Sequence, residues 1–98
     1  YYRYLRESAS GEFVGEIAYH FDGEEYLADV IVYAPYRRRG YGAAGLALLC
    51  AAAKENGVGV LYDDIAAGNP SVALFLLCGF SVEYRTNQIV MVKKVLAE

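Results

Sequence analysis

The chain is 98 residues long, 56% hydrophobic and 21% charged, with ten Tyr, four Phe and two Pro, a composition that excludes disorder and predicts one folded domain over residues 1–98 with a modest core. Nine Lys and Arg against twelve Asp and Glu give a formal charge of −3, so the surface as a whole repels nucleic acid and anionic membrane, and any anion site must be local. One His, two Cys without a Cys-x-x-Cys pair, and no apolar run long enough to span a bilayer exclude metal and transmembrane readings. Cys50 and Cys78 lie in apolar runs without a secretion signal, so reduced, buried thiols and a cytoplasmic location are expected. The chain begins with Tyr1 rather than Met, and an upstream segment is expected to be missing.

Along the chain, Tyr1 to Glu7 reads as a strand ended by the turn Ser8-Ala9-Ser10-Gly11. Phe13 to Phe21 alternates with period two, and Asp22-Gly23 turns it back on itself. Tyr26 to Tyr33 is a third strand whose run Val30-Ile31-Val32-Tyr33 predicts a central position buried on both faces. Ala34-Pro35 then breaks the ladder, and an Arg and Gly loop leads into a long helix with Leu46, Leu49, Cys50 and Ala53 on one stripe and Asn56-Gly57 at its end.

Val58 to Ile65 returns as a strand, which makes a crossover and a parallel or splayed pair with the third strand. Asn69-Pro70 starts a short helix, with Asn as cap and Pro pre-set for the first turn, and Gly79 ends it after Cys78. Phe80 to Arg85 and Gln88 to Val95 form a closing hairpin at Thr86-Asn87. The last strand is expected to be an exposed edge able to pair with a neighbour's sheet, so a homodimer is among the expected states. The predicted class is α/β, a mixed, mostly antiparallel twisted sheet with two helices.

The chemistry concentrates in Arg37-Arg38-Arg39-Gly40-Tyr41-Gly42, between an apolar strand and a helix start. Gly40 and Gly42 let the backbone turn with its amides inward, the first helical N–H groups are unpaired, and the helix dipole adds positive potential. Arg side chains add charge and bidentate reach, so the loop reads as a pyrophosphate site rather than a turn with solvated arginines. Gly40 to Gly45 also spells Gly-x-Gly-x-x-Gly, with Asp63 and Asp64 farther on, but a dinucleotide fold places its first Gly directly after the strand, and here Pro35 and three Arg intervene.

These residues resemble the GNAT superfamily of N-acetyltransferases, whose loop runs Arg or Gln, any two, Gly, any one, Gly or Ala. The resemblance extends to Val30-Ile31-Val32 before the loop, to Asn69, and to the ending Leu74-Phe75-Leu76-Leu77-Cys78-Gly79-Phe80, and so covers nearly the whole chain. It implies that acetyl-CoA is the cosubstrate, that backbone groups at Ile31 and Val32 pair with the pantetheine arm, that Arg37, Arg38, Arg39, Gly40, Tyr41 and Gly42 hold the pyrophosphate, and that Asn69 reaches the thiol end. It also implies an amine acceptor, small molecule or peptide. Two departures stand out. The family's usual first strand and two helices are missing, and Phe75 occupies the position where many members carry a proton-donating Tyr.

The resemblance places Asp64, five residues before Asn69, where some relatives carry a catalytic Glu, so Asp64 is the candidate base for deprotonating the amine. Asp63 and Asp64 read equally as solvated strand-end charges. Tyr33 and Tyr62 could stand in as proton donors, though packing is the ordinary role of so many tyrosines. The leading expectation is direct acetyl transfer from acetyl-CoA to a primary amine. The alternative is a non-catalytic acetyl-CoA-binding or interaction domain, motivated by Phe75 and the missing elements.

Overall fold

The computed structural model describes residues 1–97. Its first three strands, β1 (Tyr2–Arg6), β2 (Phe13–Phe21) and β3 (Tyr26–Val32), form an antiparallel meander. Polar turns fold it: Gly11 N–H bonds to the Glu7 carbonyl at 2.8 Å, and the Asp22 carboxylate accepts the Glu24 and Glu25 amides at 2.9 and 2.8 Å. A short 3-10 turn, Ala34–Tyr36, precedes α1 (Tyr41–Glu55); then come β4 (Val60–Ala66), α2 (Ser71–Leu77), β5 (Ser81–Arg85) and β6 (Ile89–Val95). The sheet has six strands in the order β1-β2-β3-β4-β6-β5. This is the predicted class, with the predicted crossover of β3 to a parallel β4 through α1.

Both helices pack on one face. Leu46, Leu49 and Ala53 of α1 and Phe75 of α2 share a single core with Leu5, Ile17, Ala28, Leu61, Ile65 and Val92 of the sheet. Gly45 explains how α1 lies so close: a β-carbon there would stand 2.7 Å from Leu5 Cδ1 and 3.2 Å from Ile17 Cγ2. That gives the third glycine of the apparent dinucleotide pattern a packing role. At the start of α2, Asn69 Oδ1 accepts the Ser71 amide at 2.9 Å, while Pro70 takes the cap position with helical dihedrals, one residue later than the sequence predicts.

Two expectations are corrected. Residues 88–95 do not form an exposed edge, because β6 pairs with β4 on one side and β5 on the other. Its consecutive Val90, Met91 and Val92 are all buried, which suits an inner strand, whereas the polar Ser81-Val82-Glu83-Tyr84-Arg85 of β5 suits the edge it occupies. Nor is β3 buried on both faces: it is central in the sheet, yet Asp29 is exposed and Ile31 is 44% exposed, because both helices cover the opposite face. Cys50 is buried as expected; Cys78 is half-buried, and both are free thiols.

Candidate functional site

The site begins as a defect in the sheet. Tyr33 donates its amide to the Val14 carbonyl at 2.8 Å, and the register continues through Gly15↔Val32 and Glu16↔Ile31. Antiparallel alternation then makes Glu16–Ile31 a hydrogen-bonded pair and turns the backbone groups of Val30 and Val32 away from β2. They face the side where β4 should pair, but β3 and β4 are matched only at Tyr26↔Leu61 and Leu27↔Tyr62. Beyond Leu27 the two strands diverge. Val30 and Val32 therefore border a gap, and the Val32 carbonyl there accepts Arg37 Nε at 3.1 Å.

The loop that follows converges on the same gap. Arg37 is extended, Arg38 takes the left-handed conformation at φ 64°, and Gly40 caps α1 at φ 84°. The first in-helix bond of α1 runs from the Ala44 amide to the Gly40 carbonyl at 3.1 Å, and no side chain caps the helix, so the amides of Tyr41, Gly42 and Ala43 point outward without helical partners. Free amides at the start of a helix of this length, beside arginine side chains, are suited to an anion.

A cleft of about 690 Å³ joins these parts. It brings together Ile31, Val32, Arg37, Arg38, Gly40, Tyr41, Gly42 and Asn69, all singled out in the sequence. Val30, Tyr36, Ala43, Pro70, Ser71 and Leu74 complete the wall. The backbone groups of Ile31 are committed to β2, which corrects the expectation that they pair with an arm in the gap; those of Val30 and Val32 face it instead. Two candidates lie outside the cleft. The Arg39 guanidinium sits 5.9 Å from the centroid of the Tyr36 ring, and Asp64 is exposed on β4, on the face opposite Leu61 and Ile65.

The neighbour of Asp64 has the more perturbed environment. Asp63 shares the face of the buried Leu61 and Ile65, and burial, then the nearby Asp64 and Asp29 charges, push its carboxyl up to about 7. Among the tyrosines, Tyr33 donates to Glu16 at 2.7 Å, and this bond, with partial desolvation, raises its phenol to about 12. Its proton is held by Glu16. Phe75 is 2% exposed and packs edge to face on Phe80 with ring centroids 4.9 Å apart, so it belongs to the core.

Sequence reasoning missed Val30, Leu74 and the special position of Asp63, and only Asp63 left a signal in the sequence. Counting back from the Tyr33 pairing assigns Val30 the free edge, and period two places Asp63 with Leu61 and Ile65. Leu74 stands one turn after the start of α2, facing α1.

The family model described as Acetyltransferase (GNAT) family matches residues 2–80. No curated protein matches the sequence. Among solved structures the fold is similar to that of yncA from Salmonella typhimurium, held with its cofactor acetyl-CoA, at 22% identity and a TM-score of 0.82, over 93% of this chain and 62% of that one. It is also similar to the ribosomal-protein-alanine N-acetyltransferase of Brucella melitensis, at 28% identity and TM-score 0.81, over 92% and 66%, and to an N-acetyltransferase of Staphylococcus aureus, at 20% and 0.80, over 91% and 64%. The chain thus spans slightly less than two thirds of these proteins' length. Among the described residues no helix is long and apolar enough to cross a membrane.

Proposed function

This chain belongs to the acetyltransferase (GNAT) family, and from that membership we propose that its cleft binds acetyl-CoA and that the domain passes the acetyl group to a primary amine. The observation that carries the reading is the meeting, in one cleft, of a β3 edge at Val30 and Val32 that no strand pairs, its Val32 carbonyl bonded to Arg37 Nε, with the free amides of α1 and the residues Arg37 and Arg38. An extended arm can add to a strand edge, and a pyrophosphate can take the helix amides. One chain-long ligand uses both. The structure holding acetyl-CoA in yncA supports the same assignment.

In this reading the loop from Arg37 to Gly42 holds the pyrophosphate, the Val30 and Val32 backbone holds the arm, and Asn69 stands toward the thioester. The coenzyme supplies an activated acetyl group whose C–S bond breaks as the C–N bond to the amine forms. In this reading the Val32 N–H, which faces the gap, polarises the thioester carbonyl. The amine enters through the gap between β3 and β4 from the uncovered sheet face, where Asp64 is exposed and takes the ammonium proton directly or through water. The second proton, which the nitrogen sheds as the amide forms, passes through water to the thiolate. A peptide amine is one candidate acceptor, as the Brucella enzyme's name describes for its own substrate.

A second reading, a non-catalytic acetyl-CoA-binding domain, is favoured by two observations: Phe75 offers no proton, and Tyr33 has committed its own to Glu16. Thiol release measured over a panel of polyamines, amino acids and peptides separates the two. Amine-dependent release supports transfer; tight coenzyme binding with no release above the uncatalysed rate supports the second.

A further inference from the structure

The loop that lines the cleft is tied from outside by the hairpin between β1 and β2. Tyr36, just before the three arginines, donates its hydroxyl to Glu12 Oε2 at 2.8 Å. Tyr41, the first residue of α1, donates its own to Glu7 Oε2. The two rings meet edge to face with centroids 6.5 Å apart. The hairpin that offers the carboxylates is itself braced, with Glu7 N–H on the Glu12 carbonyl and Gly11 N–H on the Glu7 carbonyl, each at 2.8 Å.

Between the two tyrosines stands Arg38 with φ 64°, a conformation that L side chains rarely adopt and that its surroundings must enforce. Both carboxylates are also a short distance from a site suited to an anion, and neither forms a salt bridge; the ion pair of the described residues is Lys93 with Glu83. Negative charge there opposes anion binding, so the carboxylates must contribute something other than charge. What they offer is two acceptors that bracket the loop.

We propose that Glu7 and Glu12 are positioning residues: through Tyr41 and Tyr36 they hold residues 37–40 and the first amides of α1 in the conformation that receives a pyrophosphate. The inference rests on the reading of the cleft as an acetyl-CoA site. It makes the hairpin turn part of the coenzyme site although it touches no coenzyme.

The test compares the full chain with the Glu7→Ala/Glu12→Ala and Glu7→Gln/Glu12→Gln variants, titrated calorimetrically with acetyl-CoA and by NMR with S-acetyl-pantetheine, which lacks the pyrophosphate. The alanine pair, having lost both acceptors, is expected to bind acetyl-CoA about tenfold more weakly, with affinity for S-acetyl-pantetheine unchanged. The glutamine pair, which keeps an acceptor oxygen at each position, is expected to restore wild-type affinity or exceed it. Wild-type acetyl-CoA affinity in the alanine pair overturns the inference and leaves the coenzyme reading standing. Equal losses for both ligands also overturn it, as general damage to the fold. A wild-type chain that binds no acetyl-CoA overturns both.

Discussion

Gly42 on α1 faces Leu74 on α2 across the cleft: a β-carbon on Gly42 would stand 3.0 Å from Leu74 Cδ2 and 3.8 Å from Val32 Cγ2. The absent side chain keeps the approach to the helix amides open. Gly42→Asp fills that approach with a carboxylate that takes the amides itself and repels a pyrophosphate. Leu74 can shift, and an acidic residue in the first turn suits the helix dipole, so the fold is retained. The expected outcome is at least about 100-fold weaker acetyl-CoA binding, roughly 3 kcal/mol, with a melting temperature close to that of the wild type. Calorimetry and a thermal melt on the same sample check both halves.

Arg38 combines two effects that one substitution can separate. Its left-handed backbone is unfavourable for any residue with a β-carbon, while its side chain lines the cleft. Arg38→Gly removes the backbone cost and adds entropy to the unfolded chain, leaving stability unchanged or raised by up to about 1 kcal/mol. Loss of the guanidinium weakens acetyl-CoA binding severalfold, and less so at high salt, where the charge is screened. A variant that loses stability as well as affinity would contradict this division.

Asp63 gives a pH signature of sign opposite to an ordinary paired carboxylate. Its value in the fold, about 7, lies above the ordinary 3.8, so the fold favours the neutral acid. That contribution is fully present below the unfolded value and is lost as pH rises through about 7. Asp63→Asn stays neutral throughout. It is therefore expected to melt with the wild type near the acid end and above it in mildly alkaline buffer, in a series of melts across that range.

For Asp64, exposed and outside the cleft, the expectation concerns rate. Asp64→Asn should lower turnover about 100-fold while leaving acetyl-CoA affinity near wild type. An unchanged pH–rate profile in that variant would remove Asp64 as the base.

Much of this was legible in the sequence because local chemistry and global fold agree. The alternation of β2, the stripe of Leu46, Leu49 and Ala53, and the loop glycines each act within a few residues, and the six strands and the short helix stand within two residues of their predicted bounds. What escaped depends on partners distant in the chain. The inner place of β6 follows from its pairing with β4, which no hairpin signal encodes. The open face of β3 follows from both helices lying on the other side. The bonds of Tyr36 and Tyr41 to Glu12 and Glu7 span 24 and 34 residues, so neither motif nor periodicity could announce them.

The measurement closest to the central claim is calorimetric titration of the wild-type chain with acetyl-CoA, run beside NAD. The expected result is saturable binding of one acetyl-CoA per chain, weakened by Gly42→Asp, and no heat with NAD. Absence of acetyl-CoA binding, or binding untouched by that substitution, would contradict the assignment of the loop from Arg37 to Gly42.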